Sequence, residues 1–197
     1  LQQFLVPKII ENKNPNTRAP FGYGEVKFTG RVDTKLLLNS YRNYLKSKDL
    51  FIEETFDYSA IDVSNEVQYK EIIANNLIFA EGFGLKQNPF FNALPLEGTK
   101  GELLVIHAPD LKSNVILKSS VFVIPIGNDN YLVGSTYAWN DYSSSPTEAA
   151  RIQILEKLQK VISSSFKVVH QRAGIRPTVV DRRPLVGQHK THKNLYI

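Results

Sequence analysis

Cysteine and methionine are both absent from the 197-residue sequence, and tryptophan occurs only once. Without cysteine the protein can form no disulfide and no thiolate metal site, and it has no cysteine nucleophile, so thiol-dependent enzyme classes are excluded. Because the sequence starts at Leu1 and contains no methionine, we expect it to be a fragment of a longer protein.

Long apolar runs are absent as well. None approaches the roughly 18 to 20 residues that a membrane-spanning helix needs, and no signal peptide opens the sequence. We therefore expect a cytoplasmic protein without a membrane span. Hydrophobic residues make up 42% and charged residues 22%, which is close to average globular usage and excludes disordered and fibrous proteins.

The net charge of +5 raises the question of nucleic-acid binding. The 24 basic residues are spread along the chain between 19 acidic ones, whereas phosphate binding needs basic side chains concentrated on one face. The sequence therefore predicts no nucleic-acid partner. A basic group near the C-terminus keeps that alternative open: Arg182, Arg183, Lys190 and Lys193.

Among the four histidines, only His189 and His192 are close in sequence. Without neighbouring carboxylates this pair is a weak indication of a metal site, and a solvated loop is the favoured interpretation. We therefore predict that the protein holds no metal.

Two helices are predicted from apolar spacing and capping residues. Asp33 can cap a helix over residues 34–47, in which apolar residues recur every three or four positions. Further along, the segment from Ser145 to Glu148 has a capping-box pattern with proline at the first helical position. The stripe predicted to be buried on this second helix consists of Ile152, Leu155, Leu158, Val161 and Ile162.

Short or alternating apolar runs predict strands, and these dominate from Leu94 onward. The segment from Gly127 to Asn130 has the composition of a hairpin turn. The mixture predicts an α+β fold, mostly antiparallel sheet with flanking helices, with α/β character in the middle of the chain. The predicted strands cover residues 23–31, 50–57, 76–82, 102–107, 114–118, 121–125, 131–135 and 166–171.

Residues 173–187 are the most distinctive stretch of the sequence. They contain two prolines, two glycines, three arginines and one aspartate, a composition typical of a loop that carries function. Arg176, followed by Pro177, is a candidate clamp for a carboxylate, because a guanidinium can donate two parallel hydrogen bonds to it. The alternative is an arginine that pairs with Asp181 or with another acid on the surface.

Six short motifs follow one another along the chain: Gly30–Asp33, Leu77–Gly82, Gly98–Leu104, Phe122–Pro125, Leu132–Thr136 and Ala173–Pro177. In this order they resemble the D-amino-acid oxidase and glycine oxidase superfamily of FAD-dependent oxidoreductases. The Gly-x-Gly-x-x-Gly turn that holds the FAD pyrophosphate in that superfamily is missing from the sequence. Only partial matches to it occur, at Gly22–Gly24 and Gly82–Gly84.

The resemblance implies the substrate-binding domain of such an enzyme together with interleaved α/β pieces of its FAD-binding domain. Residues 1–33 would supply substrate-domain strands, and residues 34–82 a portion of the FAD-binding domain. Residues 83–172 would form the substrate-binding antiparallel β domain with one long helix. Residues 173–197 would be the return segment to the FAD-binding domain.

For the substrate, the resemblance places Arg176 where the superfamily binds a carboxylate. Phe122 falls where glycine and D-amino-acid oxidases tend to have a tyrosine near the substrate; the alternative is a core residue on a strand. Tyr137 could line the pocket, with plain packing as the alternative. No side chain is assigned a catalytic role, because the cofactor carries the chemistry in such enzymes.

For the cofactor, the resemblance places Ala80, Glu81 and Gly82 at a small-residue turn where the backbone approaches the flavin closely. Glu81 departs from the small or hydroxyl residue that is more usual at this position. The backbone near Phe56 and Asp57 would pass close to the adenine.

The implied activity is oxidation of the C–N bond of a small amine or amino acid by hydride transfer to FAD. FAD would belong to the full-length protein, and we expect the fragment itself to be colourless and inactive. The alternative is a non-catalytic β-rich domain that binds a ligand or a protein and has no flavin of its own. The identity of the substrate, the acceptor that reoxidises the flavin and the oligomeric state stay open.

Overall fold

The computed structural model describes residues 2–197, which form two α-helices, eleven strands and three short 3-10 helices. The α-helices are α1 (Thr34–Lys46) and α2 (Glu148–Leu158). The 3-10 helices span Gln2–Phe4, Tyr58–Ala60 and Gly82–Gln87. The strands are β1 (Ile61–Asp62), β2 (Val67–Tyr69), β3 (Ile72–Ala74), β4 (Leu77–Ile78), β5 (Glu97–His107), β6 (Leu117–Lys118), β7 (Phe122–Gly127), β8 (Asn130–Gly134), β9 (Ala138–Trp139), β10 (Lys167–Thr178) and β11 (Leu195–Tyr196).

A six-stranded antiparallel sheet dominates the fold. Its strands lie in the order β10-β5-β8-β7-β6, and β9 pairs with one end of β5. The turn between β7 and β8 confirms the predicted hairpin, because Asn128 and Asp129 both have positive φ, 51° and 56°, as a type I′ turn requires. The antiparallel sheet together with the two α-helices confirms the predicted α+β class.

One face of this sheet is covered by α2, and the larger core lies between them. Leu104 and Ile106 of β5 point toward that face and pack in one cluster with Ile154 and Leu158 of α2, and all four side chains are fully buried. Neighbouring residues on a strand point to opposite faces. Leu103 therefore points to the other face, where it is only half-buried.

Helix α2 begins two residues later than the capping-box pattern indicated. Its N-cap is Thr147, whose hydroxyl accepts a hydrogen bond from Ala150 N at 3.3 Å. Thr147 is itself fixed, because its N–H and its hydroxyl both donate to the buried carboxylate of Glu102 at 2.8 Å. The predicted stripe is also partly wrong, since Ile152 is 50% exposed and Ile154 takes the buried position.

A second, smaller core lies apart from the large sheet and is rich in aromatic side chains. Phe79 is buried there and packs edge-on against Phe56 and Phe91, with ring centroids 5.9 Å apart in both pairs. The parallel pair β4–β11 and the small antiparallel sheet β1-β2-β3 contribute residues to the same core. The strand predicted over residues 76–82 is thus shortened to β4.

Two other strand predictions are wrong. Residues 50–57 form no strand, and Glu54 within them is instead paired with the ammonium of Lys70 at 2.8 Å. Residues 23–31 contribute only isolated bridges, formed by Tyr23 and Val26. Alternation of apolar and polar residues is therefore not sufficient for a strand where few backbone partners are in reach.

Helix α1 confirms the predicted cap, since Asp33 accepts a hydrogen bond from Leu36 N at 3.1 Å. The helix ends at Lys46, one residue before the predicted end. Its apolar side chains are exposed rather than packed against the rest of residues 2–197: Leu36, Leu37, Leu38, Tyr41 and Tyr44.

The loop predicted over residues 173–187 is a strand in its first part. β10 continues through Thr178, and Pro177 lies opposite Gly98 of β5. A proline is compatible with this position because β10 is an edge strand, where one missing backbone donor breaks no ladder on the outer side. Arg176 therefore projects from a rigid strand instead of a loop.

Candidate functional site

Arg176 lies on β10 directly opposite Thr99 of β5. Its guanidinium extends over Gly101, where a side chain could not fit: a Cβ at that position would lie 2.1 Å from Nη2 of Arg176. Thr99 and Gly101 alternate with the core-facing residues of β5, so the guanidinium occupies the face of the sheet opposite α2.

Three contacts from one short segment hold the Arg176 guanidinium. Nη2 donates to Ser135 Oγ at 2.9 Å, and Nη1 donates to the Thr136 carbonyl at 3.3 Å. The Tyr137 ring lies against the guanidinium, with its centroid 4.3 Å from Cζ, a distance typical of a cation–π contact. The guanidinium is thus positioned by neutral groups.

The alternative pairing of Arg176 with an acid is not observed. Over residues 2–197, no carboxylate lies within 4.0 Å of its side-chain nitrogens. Asp181, the acid considered from the sequence, lies 3.7 Å from Nε of Arg183 instead. The charge of Arg176 is therefore available to an external anion.

Phe122 belongs to the same face of the sheet as Arg176. It lies on β7 opposite Gly134 of β8, and Gly134 pairs on its other side with Leu103 of β5. A Cβ on Gly134 would come within 3.2 Å of the Phe122 ring and 2.3 Å of Leu103, so glycine lets both side chains cover this position. The Phe122 side chain is half-buried and stands outside the fully buried core.

The structure thereby gathers the residues predicted to bind substrate around the segment 134–137. Phe122 contacts its first residue, and Arg176 contacts the other three. Ser135 and Thr136 belong to the Leu132–Thr136 motif, but the sequence analysis assigned them no role in the site. Their position directly after a strand, beside Tyr137, is the feature that could have indicated them.

The turn predicted to face the flavin lies beside the strand that carries Arg176. Ala80 and Gly82 are exposed, and a Cβ on Gly82 would have Pro177 Cγ, at 3.9 Å, as its only neighbour within 4 Å. Gly82 has a φ of +57°, a conformation that glycine adopts at no steric cost. An exposed backbone with only the Pro177 ring near Gly82 fits the close approach of a planar cofactor.

Glu81 turns its carboxylate away from this exposed surface. One oxygen accepts a hydrogen bond from the Tyr58 hydroxyl, and the other accepts from Asn88 Nδ2 at 2.8 Å. Burial of the phenol, together with its hydrogen bond to Glu81, raises the pKa of Tyr58 to about 12. The acid that departs from the superfamily pattern is therefore engaged inside the protein.

Phe56 packs against the second core, and Asp57 lies on the surface next to it. The Phe56 ring stacks on Tyr69, with centroids 4.4 Å apart. Asp57 is exposed and caps the following 3-10 helix by accepting from Ser59 N at 2.9 Å and from the Ser59 hydroxyl at 2.7 Å, which lowers the pKa of Asp57. Neither residue is among the hydrogen-bonding or ring partners of the Arg176 guanidinium. Tyr58 connects them to the turn, because its ring packs on Phe56 at 5.4 Å and its hydroxyl donates to Glu81.

A buried charge cluster behind Arg176 was missed by the sequence reasoning. Lys100 and Glu102 of β5 are 1% and 2% exposed. The Lys100 ammonium donates to Asp141 and to the Ser143 hydroxyl, both at 2.8 Å, and the hydrogen bond from Lys100 is the largest cause that lowers the pKa of Asp141 to about 2. Two opposite charges at alternate positions, directly before the apolar run 103–106 of the same strand, could have indicated it, because buried charges need partners.

The histidine pair packs as part of a loop. The rings of His189 and His192 have centroids 5.0 Å apart, and His189 lies edge-on to Phe91 at 5.2 Å. Within residues 2–197, no group of three or more metal-ligating side chains is close enough to hold an ion. No helix in the same residues has both the length and the apolar character needed to cross a bilayer.

The family model described as DAO, FAD dependent oxidoreductase, matches residues 6–197. The chain belongs to this family. The superfamily resemblance drawn from the six motifs is thereby confirmed.

Among similar curated proteins, glycine oxidase of Bacillus subtilis (strain 168) is 20% identical over 190 residues, which are 87% of this chain and 51% of the relative. The tRNA 5-methylaminomethyl-2-thiouridine biosynthesis bifunctional protein MnmC of Campylobacter jejuni subsp. doylei is 24% identical over 158 residues, 76% of this chain and 26% of the relative. The chain thus spans about half the length of the glycine oxidase it matches.

Two solved structures share the fold of this chain. Iminodiacetate oxidase from Chelativorans sp. BNC1 aligns with a TM-score of 0.65 at 20% identity, over 85% of this chain and 49% of the other. Glycine oxidase from Geobacillus kaustophilus aligns with a TM-score of 0.58 at 19% identity, over 73% of this chain and 41% of the other. Identities this low establish the fold alone.

Proposed function

We propose that the chain is the substrate-binding part of an FAD-dependent oxidoreductase that oxidises the C–N bond of a small amine or amino acid. The observation that carries this proposal is the state of Arg176. Its guanidinium is held in place by Ser135, Thr136 and Tyr137, and within residues 2–197 it is paired with no carboxylate. A fixed, uncompensated guanidinium on an open face is suited to bind a substrate carboxylate.

In this proposal Arg176 binds and orients the substrate, and the half-buried Phe122 and the Tyr137 ring border the same site. FAD, when bound, accepts the hydride from the substrate carbon. Arg176 contributes by holding that carbon in a reactive position, since fixed geometry removes part of the entropic barrier. Phe122 has no hydroxyl that could donate a hydrogen bond to the substrate carboxylate. The carboxylate would therefore be bound chiefly by the charge and the donors of Arg176.

The residues proposed to hold FAD are the backbone of Ala80, Glu81 and Gly82, with Phe56 and Asp57 on the adenine side. The first three fit this role, because Ala80 and Gly82 are exposed, glycine supplies the positive φ, and Pro177 alone lies within 4 Å of a Cβ on Gly82. We further propose the division of the chain stated above, with residues 34–82 and 173–197 belonging to the FAD-binding domain and residues 1–33 and 83–172 to the substrate domain.

The test uses the complete gene product that contains this chain. We expect it to purify with a flavin absorbance band and to oxidise glycine or an N-alkyl glycine, while methylamine, which lacks the carboxylate, is turned over far more slowly. Substitution of Arg176→Met should lower kcat/KM for the carboxylate substrate by about 2 to 5 kcal/mol in transition-state stabilisation, because one partner of a charge pair is removed. Methylamine oxidation is the internal control and should be unaffected.

Two outcomes would contradict the proposal. A gene product that takes up no flavin would favour a ligand- or protein-binding domain without a cofactor. A flavoprotein in which Arg176→Met leaves KM for every carboxylate substrate unchanged would remove Arg176 from the binding site.

A further inference from the structure

Three side chains form a hydrogen-bonded unit on the inner side of the Ala80–Gly82 turn, and we call them the Glu81 network: Glu81, Tyr58 and Asn88. Glu81 lies in the middle of the turn and accepts one hydrogen bond on each carboxylate oxygen. Its two donors come from separate segments, one before the turn and one after the 3-10 helix that follows it. The network therefore connects three pieces of chain at the point where the turn is made.

Both donors are fixed by further contacts. Asn88 is fully buried, and its Oδ1 accepts from Phe90 N at 2.8 Å and from Phe91 N at 3.2 Å. The amide cannot be turned over without losing those bonds, so its NH2 group must face Glu81. The Tyr58 ring is fixed in the second core, where it packs edge-on against Phe56 with centroids 5.4 Å apart.

The opposite side of the turn is exposed and has few side chains near it. Ala80 and Gly82 are exposed, and around a Cβ placed on Gly82 only Pro177 comes within 4 Å. A carboxylate at position 81 pointing to that side would lie next to any bound dinucleotide and repel its phosphates. The Glu81 network keeps the charge on the inner side and leaves backbone alone on the outer side.

We propose that Glu81 is a positioning residue, which fixes the Ala80–Gly82 turn in the conformation that receives the flavin and holds its own charge away from the cofactor. This inference depends on the proposed function, since it assumes that this turn contacts FAD. It also accounts for an acid at a place where the superfamily resemblance predicts a small or hydroxyl residue.

The network offers a matched pair of substitutions. In Glu81→Gln the new amide oxygen can accept from Asn88, and the new NH2 group can donate to the Tyr58 hydroxyl, which is also able to accept. Both hydrogen bonds survive. Glu81→Leu has a similar size and makes neither bond, so the buried amide of Asn88 loses its acceptor. Tyr58→Phe removes only one of the two bonds.

The experiment is a titration of the apoprotein form of the complete gene product with FAD, followed by flavin fluorescence, with the thermal midpoint measured on the same samples. We expect Glu81→Gln to bind FAD within about twofold of the wild type and Glu81→Leu to bind about tenfold more weakly or worse, with Tyr58→Phe between them. Ile154→Val is the control, because it perturbs the large core and lies outside the second core that holds the turn.

A purely structural role for Glu81 predicts a different pattern. FAD affinity would then follow the thermal midpoint. A large-core variant, Ile154→Val or a stronger substitution there, with the same loss of thermal midpoint as Glu81→Leu would bind FAD equally weakly. That result, or an unchanged affinity in Glu81→Leu, overturns the positioning role while the proposed function stands. A wild-type protein that binds no FAD overturns the proposed function itself.

Discussion

The guanidinium of Arg176 rests on the ring of Tyr137, with Cζ 4.3 Å from the ring centroid. The same guanidinium is hydrogen-bonded by the two residues that precede Tyr137, and its position over the sheet depends on the absence of a side chain at Gly101. The charge is therefore held in one orientation before any ligand arrives. Binding then costs less side-chain entropy, which favours affinity without adding contacts.

Substitution of Tyr137 tests whether the ring contributes to this orientation. Tyr137→Phe keeps the aromatic face and should leave KM for a carboxylate substrate nearly unchanged, whereas Tyr137→Leu should weaken substrate binding by about 0.5 to 2 kcal/mol, the range of a cation–π contact. Steady-state kinetics of the full gene product measure both. Equal KM values for the two variants would show that the contact does not matter for binding.

Gly101 and Gly174 face each other across β5 and β10 and give a second matched pair. A Cβ at Gly101 would overlap the Arg176 guanidinium, whereas a Cβ at Gly174 would meet nothing within 4 Å. Since the overlapping atoms are the end of a flexible side chain, Gly101→Ala should displace the guanidinium instead of unfolding the protein. We expect a KM increase of about tenfold or more from a misplaced charge partner.

Gly174→Ala is the control for this prediction and should leave both KM and the thermal midpoint near the wild-type values. If Gly101→Ala lowered the thermal midpoint by many degrees, the sheet itself would be disturbed and the proposed displacement of Arg176 would be wrong. If both variants bound substrate like the wild type, the place of the guanidinium over Gly101 would have no role in binding.

Local composition led to a wrong prediction of the backbone around Arg176, while the carboxylate clamp stays a prediction. The type of residue 176 and its proline neighbour pointed to a carboxylate clamp, but the same proline and the nearby glycines suggested a loop where β10 is formed. Proline and glycine usually end a strand. Here an edge position makes Pro177 acceptable, and edge position depends on which strands are neighbours, which a single sequence does not show.

Side-chain contacts between residues far apart in the sequence could not be predicted for the same reason. Lys100 meets Asp141 across 41 residues, and Glu81 meets Tyr58 across 23. Each acid or base could be seen in the sequence as a single charge, and a single charge is most often solvated. The Asp33 cap and the hairpin turn were predicted correctly, because their hydrogen bonds join residues two to four positions apart.

The ion pair between Asp141 and Lys100 should make stability depend on pH in the acid range. The pKa of Asp141 is lowered to about 2 from its ordinary 3.8, chiefly by the hydrogen bond from Lys100. Because the folded-state pKa is the lower one, this stabilisation is fully present above about pH 4 and is lost as the pH falls toward 2. Asp141→Asn has no such titration.

Urea unfolding followed by the fluorescence of Trp139, the single tryptophan, measures this effect. The free energy of unfolding of the wild type should fall more steeply between about pH 4 and pH 2 than that of Asp141→Asn. Parallel curves for the two proteins over this range would show that Asp141 is not held by Lys100 in solution.

Helix α2 allows the predicted and the observed core to be compared directly. The apolar spacing in the sequence assigned Ile152 to the buried stripe, but the structure leaves Ile152 50% exposed and buries Ile154 completely. The orientation of the helix on the sheet depends on its N-cap Thr147, which Glu102 of β5 holds. Ile154→Ala should therefore lower the free energy of unfolding by about 2 to 5 kcal/mol, because it opens a cavity in a packed core.

Ile152→Ala changes the same residue type on the same helix and should cost about 0.5 kcal/mol or less, as is usual for a surface position. Denaturant unfolding of both variants measures the difference, and the shared substitution cancels the effect of helix propensity. Similar losses for the two variants, or the larger loss at Ile152, would mean that α2 is rotated on the sheet, and the contact between Thr147 and Glu102 would then be wrong as well.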